Sequence, residues 1–127
     1  IMQVSTSSGN QNMRILFNSD SSSSYSDTEL SGNGSSATSI RDTSASWLPI
    51  DNVAYPQANF NMNKICNIMS YSNTATYKTV LTRSNNAATG VDAGVQLWRS
   101  TSAINTITIS SSGSFASGST FNLYGIL

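Results

Sequence analysis

The sequence predicts an all-β fold, an antiparallel β-sandwich or jelly roll of roughly eight strands, forming one domain over residues 1–127. Three observations predict it. Short runs alternate between two faces with a period of two. Clusters of Ser, Gly and Asn separate those runs as turns. No helical period persists beyond about two turns.

The elements follow in chain order. Met13, Ile15 and Phe17 alternate with Asn12, Arg14 and Leu16 as a short two-sided strand. Ser21-Ser22-Ser23-Ser24 is low-complexity and reads as an exposed loop, inside a segment (Asn18 to Ile40) with the weakest strand signal. The tract from Ser36 to Pro56 carries both prolines, Pro49 and Pro56. It reads as a long irregular crossing of the kind that Greek-key sandwiches use.

Further along, Tyr77, Thr79, Leu81 and Arg83 share one face of a strand whose other face carries Lys78, Val80 and Thr82. Val95 and Leu97 alternate with Gln96 and Trp98, and Ile107 and Ile109 with Thr106 and Thr108. Phe121, Leu123 and Gly125 alternate with Asn122, Tyr124 and Ile126. That last run is expected to be a core strand, entered through a turn at Gly118, with a bulge or close backbone approach at Gly125. The turns fall at Ser31-Gly32-Asn33-Gly34-Ser35, Asn85-Asn86, Thr89-Gly90 and Ser110-Ser111-Ser112-Gly113.

Composition narrows the function classes. Apolar residues make up 38% of the chain and charged residues only 9%. The balance is small and polar: 26 Ser, 13 Thr and 14 Asn, together 53 of 127 residues. Eleven aromatic residues and zero net charge argue against a disordered chain. The six basic residues, Arg14, Arg41, Lys64, Lys78, Arg83 and Arg99, are too dispersed to predict a nucleic-acid partner. No apolar run reaches the length of a membrane span, so no membrane insertion is expected. A weakly charged, neutral surface suits an assembled subunit better than a free monomer.

Chemistry is sparsely provided for. There is no His, hence no Ser-His or Cys-His couple. The single Cys66 excludes an intrachain disulfide and reads as a small buried hydrophobe. A carboxylate pair is the one enzymatic option, drawn from Asp20, Asp27, Glu29, Asp42, Asp51 and Asp92. Asp27-x-Glu29 would put two carboxylates on one strand face, but turn-capping and solvated roles outweigh catalysis. Calcium is weighed at Asp20, Asp27 and Glu29 and set aside, because Asp20-x-Ser22-x-Ser24 lacks the glycine and closing Glu of a hand-type loop. The expectation is no enzyme, no metal and no cofactor. Trp47, Tyr55 and Tyr71 lie in loop-like segments and are the candidate contact residues. Packing at a subunit interface outweighs stacking on a sugar face. Trp98 reads as core or interface.

The last third is the most distinctive stretch. Leu97-Trp98-Arg99-Ser100-Thr101-Ser102-Ala103-Ile104 leads into Ile107-Thr108-Ile109, then Gly113-Ser114-Phe115-Ala116-Ser117-Gly118-Ser119-Thr120-Phe121-Asn122-Leu123-Tyr124-Gly125-Ile126. This resembles the ending shared by small virion structural proteins of tailed bacteriophages, an LWRST strand pair followed by a terminal LYGI. Met13 to Asp20, Leu30 to Ser36 and Tyr77 to Ser84 are similar to further stretches of that family. The resemblance covers most of residues 13–127 and is weakest between Thr38 and Phe60.

The resemblance implies a β-sandwich of the tail, tail fibre or virion surface, without enzymatic activity. Family members usually begin with one or two further strands, so it implies that strands precede Ile1 in a longer chain. It also implies a location on the virion, with homotrimers and other virion proteins as partners; host surface polysaccharide enters as a further ligand class only through the loop aromatics Trp47, Tyr55 and Tyr71. A capsid decoration or head-fibre protein is the alternative mount, and a glycan-binding receptor module the alternative function.

Overall fold

A computed structural model describes residues 1–125, and these are all-β, with ten strands in two antiparallel sheets and no helix. The strands are β1 (Met2–Val4), β2 (Met13–Phe17), β3 (Tyr25–Gly32), β4 (Ala37–Ala45), β5 (Leu48–Pro49), β6 (Met62–Ile68), β7 (Lys78–Asn86), β8 (Gly90–Trp98), β9 (Ile107–Ser111) and β10 (Thr120–Phe121). The larger sheet runs in the order β10-β1-β6-β7-β8-β3-β4, and the smaller one β5-β2-β9. The smaller sheet covers one face of the larger as a sandwich lid. No helix among the described residues is long and apolar enough to cross a membrane.

Hairpin chemistry sets the registers. Asn33 Oδ1 accepts from the backbone N–H of Ser35 and Ser36, closing the β3–β4 turn around Gly34 at φ 87°. The Thr89 N–H donates to Asn86 O at 3.0 Å in the β7–β8 turn. Gly90 follows at φ 151°, and a Cβ there would lie 2.2 Å from the Gly32 carbonyl oxygen. Two neighbouring hairpins can touch at this point only because position 90 lacks a side chain.

The apolar core lies where the lid covers the sheet. Met13, Ile15 and Phe17 of β2 meet Met2, Val4, Met62 and Val80 of the larger sheet, with Leu48 and Ile50 closing one side. At one end Phe17, Tyr25 and Trp98 form an aromatic cluster with centroids 5.6–6.4 Å apart. Trp98 is a core residue.

Four expectations need correction. There are ten strands among the described residues, not about eight. The tract Ser36 to Pro56 is not one irregular crossing, because it contains the nine-residue β4 and the short β5. β4 escapes a hydrophobicity reading because it is an edge strand with essentially both faces in solvent, so nothing selects an apolar alternation. The C-terminal run is not a core strand. β10 is a two-residue edge strand, with Leu123 83% and Tyr124 67% exposed beyond it. Phe121 packs on the Phe115 ring at 5.1 Å, and the Asn122 backbone pairs with Ile1. Gly125 makes neither a bulge nor a close approach, since a Cβ there would meet open space. Ile126 of the same run lies outside the described residues.

Candidate functional site

The three candidate aromatics do not form one site. Trp47 is 37% exposed beside β5, and the Arg14 guanidinium lies 4.0 Å from its ring centroid, so one ring face is already occupied. Tyr55 belongs to the crossing after β5, where its hydroxyl accepts from Asn10 Nδ2 at 3.2 Å and its carbonyl from Asn86 Nδ2 at 2.8 Å. Tyr71 is exposed in the β6–β7 connection, at the end of the sandwich remote from Tyr55. Its carbonyl accepts from the Ile104 N–H. The three rings therefore sit in three places.

The carboxylates are dispersed in a different way. Asp20 caps the loop after β2. It accepts from the Ser22 N–H and Oγ, from Ser24 Oγ and from Trp98 Nε1, all between 2.6 and 2.9 Å. Burial alone would raise its pKa, but these four bonds to the ionised form hold it well below the usual carboxylate range. Asp20 is thus an anchor for Trp98 and the serine loop, with its oxygens already committed. Asp27 and Glu29 do share one face of β3, as alternation requires, but that face points inward. Among the described residues, no group of three His, Cys, Asp or Glu side chains could hold a metal ion.

Register places the remaining polar groups in rows across the inner face of the larger sheet. One row is Ser31, Asp92, Ser84 and Lys64, contributed by β3, β8, β7 and β6. The next is Glu29, Gly94, Thr82 and Cys66, followed by Asp27, Gln96, Val80 and Ile68. Within these rows Lys64 Nζ donates to Ser84 Oγ at 3.3 Å, and Ser84 Oγ to Asp92 Oδ2 at 3.4 Å. Gln96 Nε2 donates to Thr82 Oγ1 at 2.8 Å. The Gln96 side chain passes over Gly94, where a Cβ would lie 2.5 Å from Nε2.

The strap from Ile50 to Pro56 covers this seam. Asn52, Val53 and Ala54 each donate a backbone N–H to the Asp92 carboxylate at 2.9–3.2 Å, and Asp51 Oδ2 accepts from the Met13 N–H. Three successive N–H groups converging on one carboxylate make an anion nest that the chain fills with its own side chain. Cys66 is half-buried rather than fully buried, facing a small apolar cleft with Ile68, Ile107 and Ile109. Burial pushes its thiol pKa up.

The outer face of the same sheet mixes polar and aliphatic side chains. Its rows read Thr28, Val95, Leu81 and Asn67; then Leu30, Ala93, Arg83 and Ile65; then Gly32, Val91, Asn85 and Asn63. Leu30, Ile65, Leu81, Val91 and Val95 are 43–64% exposed. Around Leu30, Ile65, Arg83 and Val91 the surface is a trough of about 780 Å³. Arg83 is its one charged side chain reaching outward from the central strands, with Arg41 at the β4 edge. Buried positions meanwhile hold eleven polar or charged residues against thirteen apolar ones among the described residues. The sheet is therefore polar inside over β3 and β8, and its outer face carries an apolar patch centred on β8 with Leu30, Leu81 and Ile65 around it.

Sequence reasoning found the alternation in β7 and β8 but did not orient it. No local signal orients it. Thr79, Leu81 and Arg83 oppose Lys78, Val80 and Thr82, and neither set is clearly the core set. No protein-family model, curated protein or solved structure matches this chain.

Proposed function

We propose that this chain is a non-enzymatic structural module of a bacteriophage virion, carried on the tail or tail fibre, which assembles with copies of itself through the outer face of its larger sheet. One observation carries the assembly part: five large aliphatic side chains stand in solvent on one face of the neighbouring strands β3, β6, β7 and β8, with Leu81 directly beside Val95 at the centre and Arg83 the one charge among them. A contiguous exposed apolar patch on a sheet marks an interaction surface, and burying it supplies the driving force for association. Three copies turning this face toward a common axis bury the patch in a closed assembly, with no open end to propagate. Each subunit's inward face already has its own lid, so the outer face is the one left to a partner.

The non-enzymatic reading is supported by where the carboxylates lie. Asp27 and Glu29 are under the lid, Asp51 is held by a backbone N–H and Asp92 is saturated by the strap. The virion assignment is supported by the Leu97 to Ile126 stretch and its upstream companions. Their resemblance to tailed-phage structural proteins is a sequence argument throughout.

Two measurements test the two parts. Sedimentation equilibrium of the purified chain is expected to give a mass of three subunits, and Leu81→Asp/Val95→Asp a folded monomer. A wild-type monomer at high concentration contradicts the assembly. Immunogold labelling of purified particles is expected on the tail; label on the head places the module as a capsid decoration protein instead.

A further inference from the structure

Within the inner seam, every unpartnered buried side-chain atom is an acceptor. These are Asp27 Oδ1, both Glu29 carboxylate oxygens and Gln96 Oε1. Glu29 and Gln96 are 1% exposed and Asp27 is 4% exposed. The Gln96 acceptor can be met by the Thr82 hydroxyl after a half-turn of the amide, so the fixed shortage lies at the carboxyls, above all Glu29, with neither oxygen partnered. Asp27 and Gln96 are direct cross-strand partners on β3 and β8. A buried acceptor without a donor is costly.

The charges around the seam lead to the same shortage. Asp27 and Glu29 face inward from β3, Asp42 stands opposite Asp27 on β4 and Asp92 projects from β8. Asp51 comes down from the strap, and Lys64 from β6 is the single cation among them. Cys66 lies one row from Lys64, and the β7 groups in the seam, Thr82 and Ser84, are neutral. With every carboxyl ionised, Asp27, Glu29, Asp51 and Asp92 would set four negative charges against one ammonium.

We propose that the seam is a proton-loaded lock: Asp27 and Glu29 are held as neutral acids beneath the lid, and their deprotonation, by repelling Asp51 and Asp92, loosens the strap from the larger sheet. Proton uptake converts two orphaned acceptors into donors and lowers the negative charge at once. It needs no ligand beyond the proton. The electrostatics run the same way. Burial, with Asp42 adding to it, raises Asp27 to about 6. Burial raises Glu29 to about 7 despite Lys64, and Asp51 to about 7 despite the Met13 N–H. Burial likewise pushes Lys64 downward, partly countered by the surrounding carboxylates.

The direction follows from linkage. The folded chain binds these protons more tightly than the unfolded chain does, so their stabilising contribution is complete below the ordinary carboxylate range. It is lost as pH rises toward about 7. The module should be tightest in mild acid and looser in mild alkali, the reverse of a carboxylate held in an ion pair.

Thermal unfolding of the full chain at pH 5 and pH 8 tests this, with Glu29→Gln and Asp27→Asn as neutral isosteres. The wild type is expected to melt several degrees lower at pH 8. Glu29→Gln is expected to match it at pH 5 and exceed it at pH 8, flattening the profile. If Glu29→Gln leaves the slope unchanged, or is less stable than wild type at pH 8, the lock is wrong. Should either variant fail to fold, carboxyl ¹³C titration of the labelled wild-type chain decides. Two side-chain carboxyls titrating above pH 5.5 uphold the proposal; all titrating in the ordinary range overturn it. Neither outcome bears on the outer-face assembly, which sedimentation reads separately.

Discussion

At the scale of single residues, two positions carry more than their size suggests. Asp20 spends its carboxylate on four donors and so ties the serine loop to the Trp98 indole. Asp20→Ala should cost about 2–4 kcal/mol in urea unfolding, because the indole N–H and the loop amides lose a charged acceptor. Its share of stability is fully present above the carboxylate range and is lost only in strong acid, opposite in sign to Glu29. Gly94 is the other position. Gly94→Ala should destabilise by about 1–3 kcal/mol by driving the Gln96 side chain away from Thr82, and circular-dichroism melts would read it. Gly94 lies at φ outside the left-handed region, so its requirement is space and not backbone conformation. Nothing in the sequence around Ala93-Gly94-Val95 separates those two causes; only the fold puts Gln96 across it.

At the scale of elements, legibility followed apolar contrast. β2 was readable because Met13, Ile15 and Phe17 are all buried and Arg14 and Leu16 face outward from them. β7, β8 and β9 were readable as strands because period two survives even when both faces are mixed. β4 was not, because solvent bathes almost all of it and Ser, Thr and Ala satisfy both faces equally. β1 is too short to show a period, while the alternation from Phe121 onward overstated β10, which is two residues long; their pairing across the chain ends, Met2 with Phe121, is a tertiary fact. The same reasoning predicts dynamics. β4 is paired on one side only, so its amides should exchange fastest among the long strands. β7, flanked by β6 and β8, should exchange slowest. Hydrogen exchange read by mass spectrometry checks this, and protection of β4 equal to that of β7 would mean its free edge is paired in solution.

At the scale of the whole molecule, the governing feature is a sheet with a polar seam under its lid on β3 and β8 and an aliphatic patch on the opposite face. The composition foreshadowed it. A chain with 38% apolar residues cannot supply both a full core and an apolar outer face, and here the inner seam is the part left polar. The candidate rings Trp47, Tyr55 and Tyr71 were found from loop chemistry, yet the fold separates them. The outer aliphatic patch is built from residues on separate strands, such as Leu30 beside Ala93, Ile65 beside Arg83 and Leu81 beside Val95, so no local motif announces it. Hydroxyl-radical footprinting of the assembled wild-type chain tests this directly, since it reads side-chain exposure one residue at a time. Leu30, Ile65, Leu81 and Val95 should be protected, while Trp47, Met69 and Tyr71 label freely. Oxidation of Leu81 and Val95 at the rate of Tyr71 in the assembled state would contradict the outer face as the assembly surface.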